Sequence, residues 1–177
     1  METWTYNGIN IVVECLNCGW LMGLNQTLCS KCQSCQKGGK EMLTKEKLAI
    51  GDSYGGGIVF YVSEDGHHGL IAAKSDQSTG IRWHAGENIE TGATADGVGA
   101  GKENTAKIIA TQGDGSDYAA NFCAASSVTV EGVTYAHWYL PSIQELNLLY
   151  QQRNVIGDFG SEAYWSSTEY HSNFAWY

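Results

Sequence analysis

The sequence is poor in proline, in basic residues and in long apolar runs. It has 1 proline in 177 residues, and 10 lysines and arginines stand against 19 aspartates and glutamates, for a net charge of −9. A membrane-spanning helix needs about 20 consecutive apolar residues, and no segment approaches that length. Because an acidic surface repels phosphates, the charge also argues against a nucleic-acid partner. The chain therefore predicts neither membrane insertion nor nucleic-acid binding.

The amino-terminal residues lack the features of a secretory leader. Met1–Trp4 carries no basic residue, and Ile9–Val13 is too short for the apolar centre of a signal peptide. The location is left unknown by the sequence. We expect synthesis in the cytoplasm, and release as a virion component is one route to the outside.

Glycine and apolar residues are plentiful. The 22 glycines and a hydrophobic fraction of 43% indicate a loop-rich chain with enough apolar side chains for a core. Residues 1–50 carry five lysines against four glutamates, whereas residues 51–177 carry five basic residues against fifteen acidic ones. The length suits one ordinary domain with a small amino-terminal appendage.

The stretch Trp138–Tyr150 contains the clearest local signals. Pro141 disfavours helix at Leu140, so the extended run before it should end there. Ser142 is a favourable N-cap, and Glu145 three residues later completes a capping box. Ile143, Leu146 and either Leu149 or Tyr150 recur at helical spacing, which predicts a short helix with one buried stripe.

Five of the six cysteines fall within 21 positions near the amino terminus. Repeated C-x-x-C elements present the four thiolates of a tetrahedral structural zinc site. We predict one structural zinc ion with Cys15 and Cys18 as the firm pair of ligands. Their partners are either Cys29 with Cys32 or Cys32 with Cys35, because the fifth thiol leaves the ligand set open.

The cysteines and a change in composition predict the domain organisation. We expect a Cys-rich, zinc-ribbon-like module at residues 1–36, a polar linker at residues 37–49 and a main domain at residues 50–177. The competing interpretation of the module is a disulfide framework. The odd number of cysteines in the cluster and the missing signal peptide favour the metal.

The main domain shows both helical and alternating patterns. The predicted elements are a hairpin from Ile58–Val62 through a turn at Glu64–His67 to Gly69–Ala73, helices over Asn104–Gln112 and Ser116–Ser126, a hairpin over Val128–Tyr135 and a strand over Tyr164–Glu169. In the second helix, Phe122 and Cys123 share the apolar face. Cys123 is therefore predicted to be a small buried hydrophobe and not a nucleophile.

Several ordered sequence blocks of the main domain occur together in one known family. The blocks are Ile50–Tyr61, His68–Ala73, Ser75–Gly80, Trp138–Tyr150, Tyr164–Tyr170 and Ala175–Tyr177. Through them the chain resembles the Lcl C-terminal domain family, a bacterial and phage group within the C-type-lectin-like superfamily. The resemblance covers residues 50–177. It implies an α+β C-type-lectin-like domain with two short helices, a mixed or antiparallel sheet and long loops.

The resemblance does not imply a calcium site or an enzyme. Calcium-dependent sugar binding in this superfamily uses Glu-Pro-Asn or Gln-Pro-Asp with Trp-Asn-Asp, and none of these motifs occurs here. The formylglycine-generating enzymes of the superfamily depend on a pair of cysteines, whereas Cys123 is alone in the main domain. We therefore expect a protein that is not an enzyme.

By resemblance, related domains bind their ligands near the carboxyl-terminal segment, where aromatic and polar residues interleave in this chain. Aromatic faces suit both sugar rings and protein hot spots. We predict non-catalytic recognition of a glycan or a protein on a cell surface, by a phage virion or tail-associated protein or a bacterial surface protein. The predicted contact residues are Tyr164, Glu169, Tyr170, His171, Asn173 and Phe174. Trp165 and Trp176 are expected in the core, and the turn from Glu169 to Asn173 is expected to be exposed.

Two further expectations concern partners. The alternative function is an intracellular adaptor whose zinc module docks a protein while the acidic domain is structural. Family members continue past the Ala-Trp-Tyr motif into at least one more strand, which this sequence lacks. This indicates a fragment, a naturally shortened variant, or a last strand supplied by another chain. In the third case, a second copy or a partner chain would complete the unpaired edge at Asn173–Tyr177.

Overall fold

A computed structural model gives the fold of most of the main domain. It describes residues 11–15, 48–64, 66, 68–78, 80–114, 117–157, 159–160 and 162–177. The strands are β1 Ile11–Cys15, β2 Ser53–Tyr54, β3 Gly57–Val62, β4 His68–Ala73, β5 Val128–Val130, β6 Val133–Tyr135, β7 Glu169–His171 and β8 Phe174–Ala175. The helices are α1 Ala100–Gln112, α2 Ala119–Ala125, α3 Ile143–Gln151 and α4 Arg153–Ile156. The predicted mixed α+β class is confirmed.

The largest sheet has the strand order β1-β4-β3-β2 and is antiparallel throughout. Strands β3 and β4 form the predicted hairpin, with Gly57 opposite Ala73 and Val62 opposite Gly69. A side chain at Gly57 would collide with the carbonyl oxygen of Ala72, so this close approach requires glycine. Strand β1 comes from the segment predicted as the amino-terminal module and pairs with β4.

The predicted capping box at the start of α3 is confirmed. The Ser142 hydroxyl accepts a hydrogen bond from the Glu145 amide at 3.3 Å, and the Glu145 carboxylate accepts one from the Ser142 amide at 2.8 Å. Both residues are fully buried. The box therefore fixes where the helix begins and also lies inside the core.

Three consecutive residues connect the three hydrophobic clusters of the domain. Trp138, Tyr139 and Leu140 each pack in a different cluster. The cluster of Trp138 also contains Val59 and Ile71. That of Tyr139 includes Phe60, Leu70 and Leu149, and that of Leu140 includes Trp83, Ile108, Tyr118 and Trp165. Because successive side chains of an extended segment point to opposite sides, one short run reaches separate parts of the core. The stretch with the clearest sequence signals is thus also a centre of packing.

The predicted strand over Tyr164–Glu169 is wrong, although the whole segment is buried. Its backbone amides bond to separate segments instead of one partner strand. Ser167 N donates to Pro141 O, Ser166 N to Trp176 O and Glu169 N to Ala93 O. A regular ladder cannot form when each peptide group has a different partner, so the segment is extended but irregular.

The hairpin predicted over Val128–Tyr135 is confirmed as β5 and β6. Its two turn residues, Glu131 and Gly132, have φ angles of 52° and 81°. Two successive positive φ angles are typical of a type I′ turn, whose twist matches that of the flanking strands.

The two predicted middle helices exist with shifted boundaries. Helix α1 begins at Ala100 instead of Asn104, and α2 spans only Ala119–Ala125. Cys123 is buried as predicted, but Phe122 is 39% exposed. A helix of two turns has one narrow inner face, and Ala119, Ala120 and Cys123 occupy it. None of the helices in the described part of the chain has the length and apolarity that crossing a bilayer requires.

Candidate functional site

The hairpin formed by β7 and β8 carries a cluster of aromatic rings on its outer side. Tyr170, Trp176 and Tyr177 are 58%, 50% and 58% exposed. The rings of Tyr170 and Trp176 meet edge to face with their centroids 4.7 Å apart, and those of Phe174 and Tyr177 at 5.7 Å. The His171 ring lies 5.0 Å from Tyr170 and 5.8 Å from Phe174. We call these five residues the aromatic face.

The inner side of the same hairpin is anchored in the core. Ala175 is fully buried. Phe174 is the half-buried member of the aromatic face and joins that face to the core, because its ring packs edge to face on Trp165 with the centroids 5.5 Å apart. Trp176 N donates to Thr168 O at 3.0 Å, and Trp176 O accepts from the Ser166 hydroxyl at 2.6 Å. The exposed rings are therefore held by a fixed backbone, which lowers the entropy that a ligand would have to remove.

A cleft of about 800 Å³ adjoins the aromatic face, and Tyr177 belongs to both. Residues of α3 and α4 form its walls, together with Gly157, Phe159, Gly160 and residues 162–164. The polar and aromatic side chains that line it are Asn147, Tyr150, Arg153, Asn154, Phe159, Glu162, Tyr164 and Tyr177. A concave site of this size with rings and a few polar groups is typical of small-molecule sites.

Arg153 and Tyr150 form one wall of the cleft as a stacked pair. The guanidinium carbon lies 4.2 Å from the centre of the Tyr150 ring, and Nη1 donates to Tyr150 O at 2.9 Å. Of the two residues that the sequence left open for the end of the buried stripe, Leu149 is fully buried and Tyr150 is 58% exposed. Leu146 and Leu149 fill the inner side of the helix.

Tyr164 forms part of the cleft wall and is 8% exposed. Its hydroxyl donates to Asp76 Oδ2 at 3.0 Å and accepts from Gly160 N at 2.8 Å. Its ring meets that of Phe159 edge to face at 5.2 Å. The predicted contact residue is thus a fixed wall of the cleft and not an exposed platform.

Glu169 is 7% exposed, which contradicts its expected exposure at the turn. Its carboxylate accepts hydrogen bonds from Thr91 N at 2.9 Å, from the Thr91 hydroxyl at 3.1 Å and from Gly92 N at 2.8 Å. Glu169 N donates in turn to Ala93 O at 2.8 Å. Glu169 therefore fastens the loop at residues 91–93 to the base of the aromatic hairpin.

We expect Glu169→Ala to lower the free energy of unfolding by about 2 kcal/mol, because it leaves the donors of Thr91 and Gly92 without an acceptor. Urea unfolding followed by tryptophan fluorescence measures the change. Glu90→Ala removes an exposed carboxylate from the same loop and is the matched control. Equal stability of the two variants would contradict the fastening role.

The other predicted contact residues differ in their exposure to solvent. Tyr170, His171 and Asn173 are exposed, and Phe174 is half-buried.

Trp165 lies in the core as expected, with its indole N–H donating to Ile81 O at 2.8 Å. The expectation that Trp176 is also core is wrong. Ala175 takes the inward position at the end of the hairpin, so the next side chain points outward.

The predicted zinc ligands lie largely outside the described residues. Cys18, Cys29, Cys32 and Cys35 are not among them, and Cys15 is described only as the last residue of β1. The zinc site and its ligand set stay a prediction. Within the described part of the chain, no three or more His, Cys, Asp or Glu side chains cluster as a metal site. Burial raises the pKa of the Cys123 thiol, as expected for a core cysteine.

Sequence reasoning missed the residues that α3 and α4 contribute to the cleft. Asn147, Tyr150 and Asn154 are spaced three and four positions apart and share one helical side. Such a polar stripe occurs on most surface helices, so the spacing alone does not distinguish a binding wall from a solvated face. Comparison of the chain with protein-family models, curated proteins and solved structures gives no match.

Proposed function

We propose that this protein is a non-catalytic ligand-recognition module, and that its aromatic face and the adjoining cleft bind a glycan or a protein on a cell surface. The exposed aromatic cluster carries this proposal. Tyr170, Trp176 and Tyr177 are each at least half exposed and contact other rings of the face. Exposed clusters of large apolar side chains beside a concave surface are typical of interaction sites.

The use of the buried acidic groups supports a binding function over a catalytic one. Glu145 and Glu169 are buried carboxylates, and both accept hydrogen bonds from backbone amides. They hold helix starts and a loop in place instead of facing the cleft. The side chains that line the cleft are aromatic rings and polar groups, which suit the binding of a ligand.

For the fold, we propose a C-type-lectin-like domain of the Lcl C-terminal type over residues 50–177. The ordered sequence blocks and the confirmed α+β class support this assignment. In biological context we propose a phage virion or tail-associated protein or a bacterial surface protein, a setting in which such a binding face would meet cells.

The test is binding of the fluorescently labelled full chain to a panel of intact bacterial cells, measured by flow cytometry. We expect Tyr170→Ala combined with Trp176→Ala to raise the half-saturating concentration at least about tenfold, because aromatic anchors dominate binding energy. Phe122→Ala removes an exposed aromatic ring outside the aromatic face and the cleft and should leave binding unchanged. Binding to no cell type, or equal binding by the double variant, would overturn the proposal.

A further inference from the structure

We propose that the cleft beside the aromatic face binds a neutral sugar unit of a glycan, an inference that rests on the proposed ligand-recognition function. The lining combines ring faces with groups that form hydrogen bonds in both directions. Asn147 and Asn154 each donate and accept, Arg153 only donates, and the Glu162 carboxylate only accepts. A sugar ring has apolar C–H faces and a rim of hydroxyl groups that also donate and accept. The cleft is complementary to both features.

The charge of the site disfavours an anionic ligand. Among the described residues that line the cleft, Arg153 and Glu162 supply one charge of each sign. Residues 51–177 carry fifteen acidic side chains against five basic ones, so an anion approaching the domain meets a repulsive field. A neutral hydroxyl-rich unit avoids this repulsion and still uses both charged groups as strong hydrogen-bond partners.

The walls of the cleft are already held in place. Stacking on the Tyr150 ring and the bond to Tyr150 O restrain Arg153, and two hydrogen bonds fix the Tyr164 hydroxyl. Weak, solvated ligands such as sugars gain most from groups that need no ordering on binding. A protein ligand with a flat surface would leave a recess of about 800 Å³ unfilled. The cleft therefore favours a small sugar unit over a protein as the ligand.

Saturation-transfer NMR with the full chain tests the sugar class. The probes are glucose, galactose, mannose and N-acetylglucosamine, with glucuronic and galacturonic acid as charged counterparts. We expect a neutral sugar to bind, and Asn147→Ala combined with Asn154→Ala to raise its Kd at least about tenfold. Gln144→Ala removes an exposed carboxamide from the same helix outside the cleft and is the matched control. Binding of the acids alone, or equal binding by the double variant, would overturn the proposal.

Cell binding separates failure of the sugar inference from failure of the proposed function. If periodate oxidation of the cells and the double asparagine variant both abolish binding, a glycan bound in the cleft is supported even when no sugar of the panel binds. If cell binding survives periodate but is lost after protease treatment, the ligand is a protein, and only the sugar inference is overturned. If the chain binds no cells and no sugar, both fail together.

Discussion

Replacing Glu145 with alanine is expected to lower the free energy of unfolding by about 4 kcal/mol. The fully buried carboxylate accepts hydrogen bonds from Gly99 N at 2.7 Å, from Ser142 N at 2.8 Å and from the Tyr139 hydroxyl at 3.3 Å. Alanine leaves all three donors without this acceptor. The Ser142 amide and the Tyr139 hydroxyl are buried, whereas Gly99 is exposed and its amide can bond to water. Each orphaned buried donor costs about 1–3 kcal/mol, so the loss takes a large share of the stability that a domain normally has.

Urea unfolding followed by tryptophan fluorescence measures this loss. Gln144→Ala changes the neighbouring, exposed residue of the same helix and controls for helix propensity and length. We expect the control to shift the free energy of unfolding by less than about 0.5 kcal/mol. A Glu145 variant as stable as the control would show that the three hydrogen bonds contribute nothing net.

The contribution of Glu145 to the free energy of unfolding should change with pH in a predictable direction. Burial raises the pKa of Glu145 above its usual value of 4.5, and the hydrogen bonds from the Ser142 and Gly99 amides oppose that shift only in part. The folded chain therefore binds this proton more tightly than the unfolded chain does. As the pH falls from neutral through the raised pKa towards 4.5, this group adds stability, and the gain is complete below the unfolded pKa.

The measurement is the difference in free energy of unfolding between the wild type and Glu145→Gln at several pH values. Because the other carboxylates are common to both proteins, the difference isolates this group. It should grow in favour of the wild type on acidification from about pH 7 to about pH 4. A difference that shrinks would mean that the hydrogen bonds, and not burial, dominate the pKa of Glu145.

Gly101→Ala is expected to lower the free energy of unfolding by about 3 kcal/mol, although alanine normally stabilises a helix interior relative to glycine by about 0.5–1 kcal/mol. Gly101 is buried in the first turn of α1. An added Cβ would lie 2.7 Å from Tyr139 Cε2 and 2.8 Å from Leu140 O, and it would also collide with the Glu145 carboxylate. These neighbours belong to the packed segment before α3 and cannot move independently.

Gly97→Ala is the matched control for this substitution. Gly97 lies just before α1, and an added Cβ would meet no atom within 4 Å. We expect its effect on the free energy of unfolding to stay within about 0.5 kcal/mol. Thermal and urea unfolding of both variants give the comparison, and a Gly101 variant as stable as the Gly97 variant would contradict the packing between α1 and the start of α3.

The features that were predicted correctly have causes within a few residues of chain. The capping box joins Ser142 to Glu145, and the β5–β6 turn depends on Glu131 and Gly132. Both follow from backbone hydrogen bonding and φ preferences, which adjacent side chains express directly. The burial of Cys123 was also predictable, because it lies on the apolar side of a short helix.

The errors concern which side of a segment meets a distant part of the chain. Glu169 is buried because Thr91 and Gly92, 78 and 77 positions away, supply its hydrogen-bond donors. Trp176 points outward because Ala175 takes the inward position. In α3 the sequence left Leu149 and Tyr150 open, and Leu149 takes the buried place. In these last two cases two neighbouring side chains competed for one buried place, and their apolar character did not decide between them.

The sequence by itself determined the α+β class, the start of α3, the β3–β4 and β5–β6 hairpins and the acidic character of the main domain. Tertiary structure alone decided that Tyr177 adjoins the side of α3 and α4 that carries Asn147, Tyr150 and Arg153. It also decided that the carboxylates of Glu145 and Glu169 are buried. The reason is physical: caps and turns are formed by neighbours in the chain, whereas a cleft is made by surfaces that only the packing of distant segments brings together.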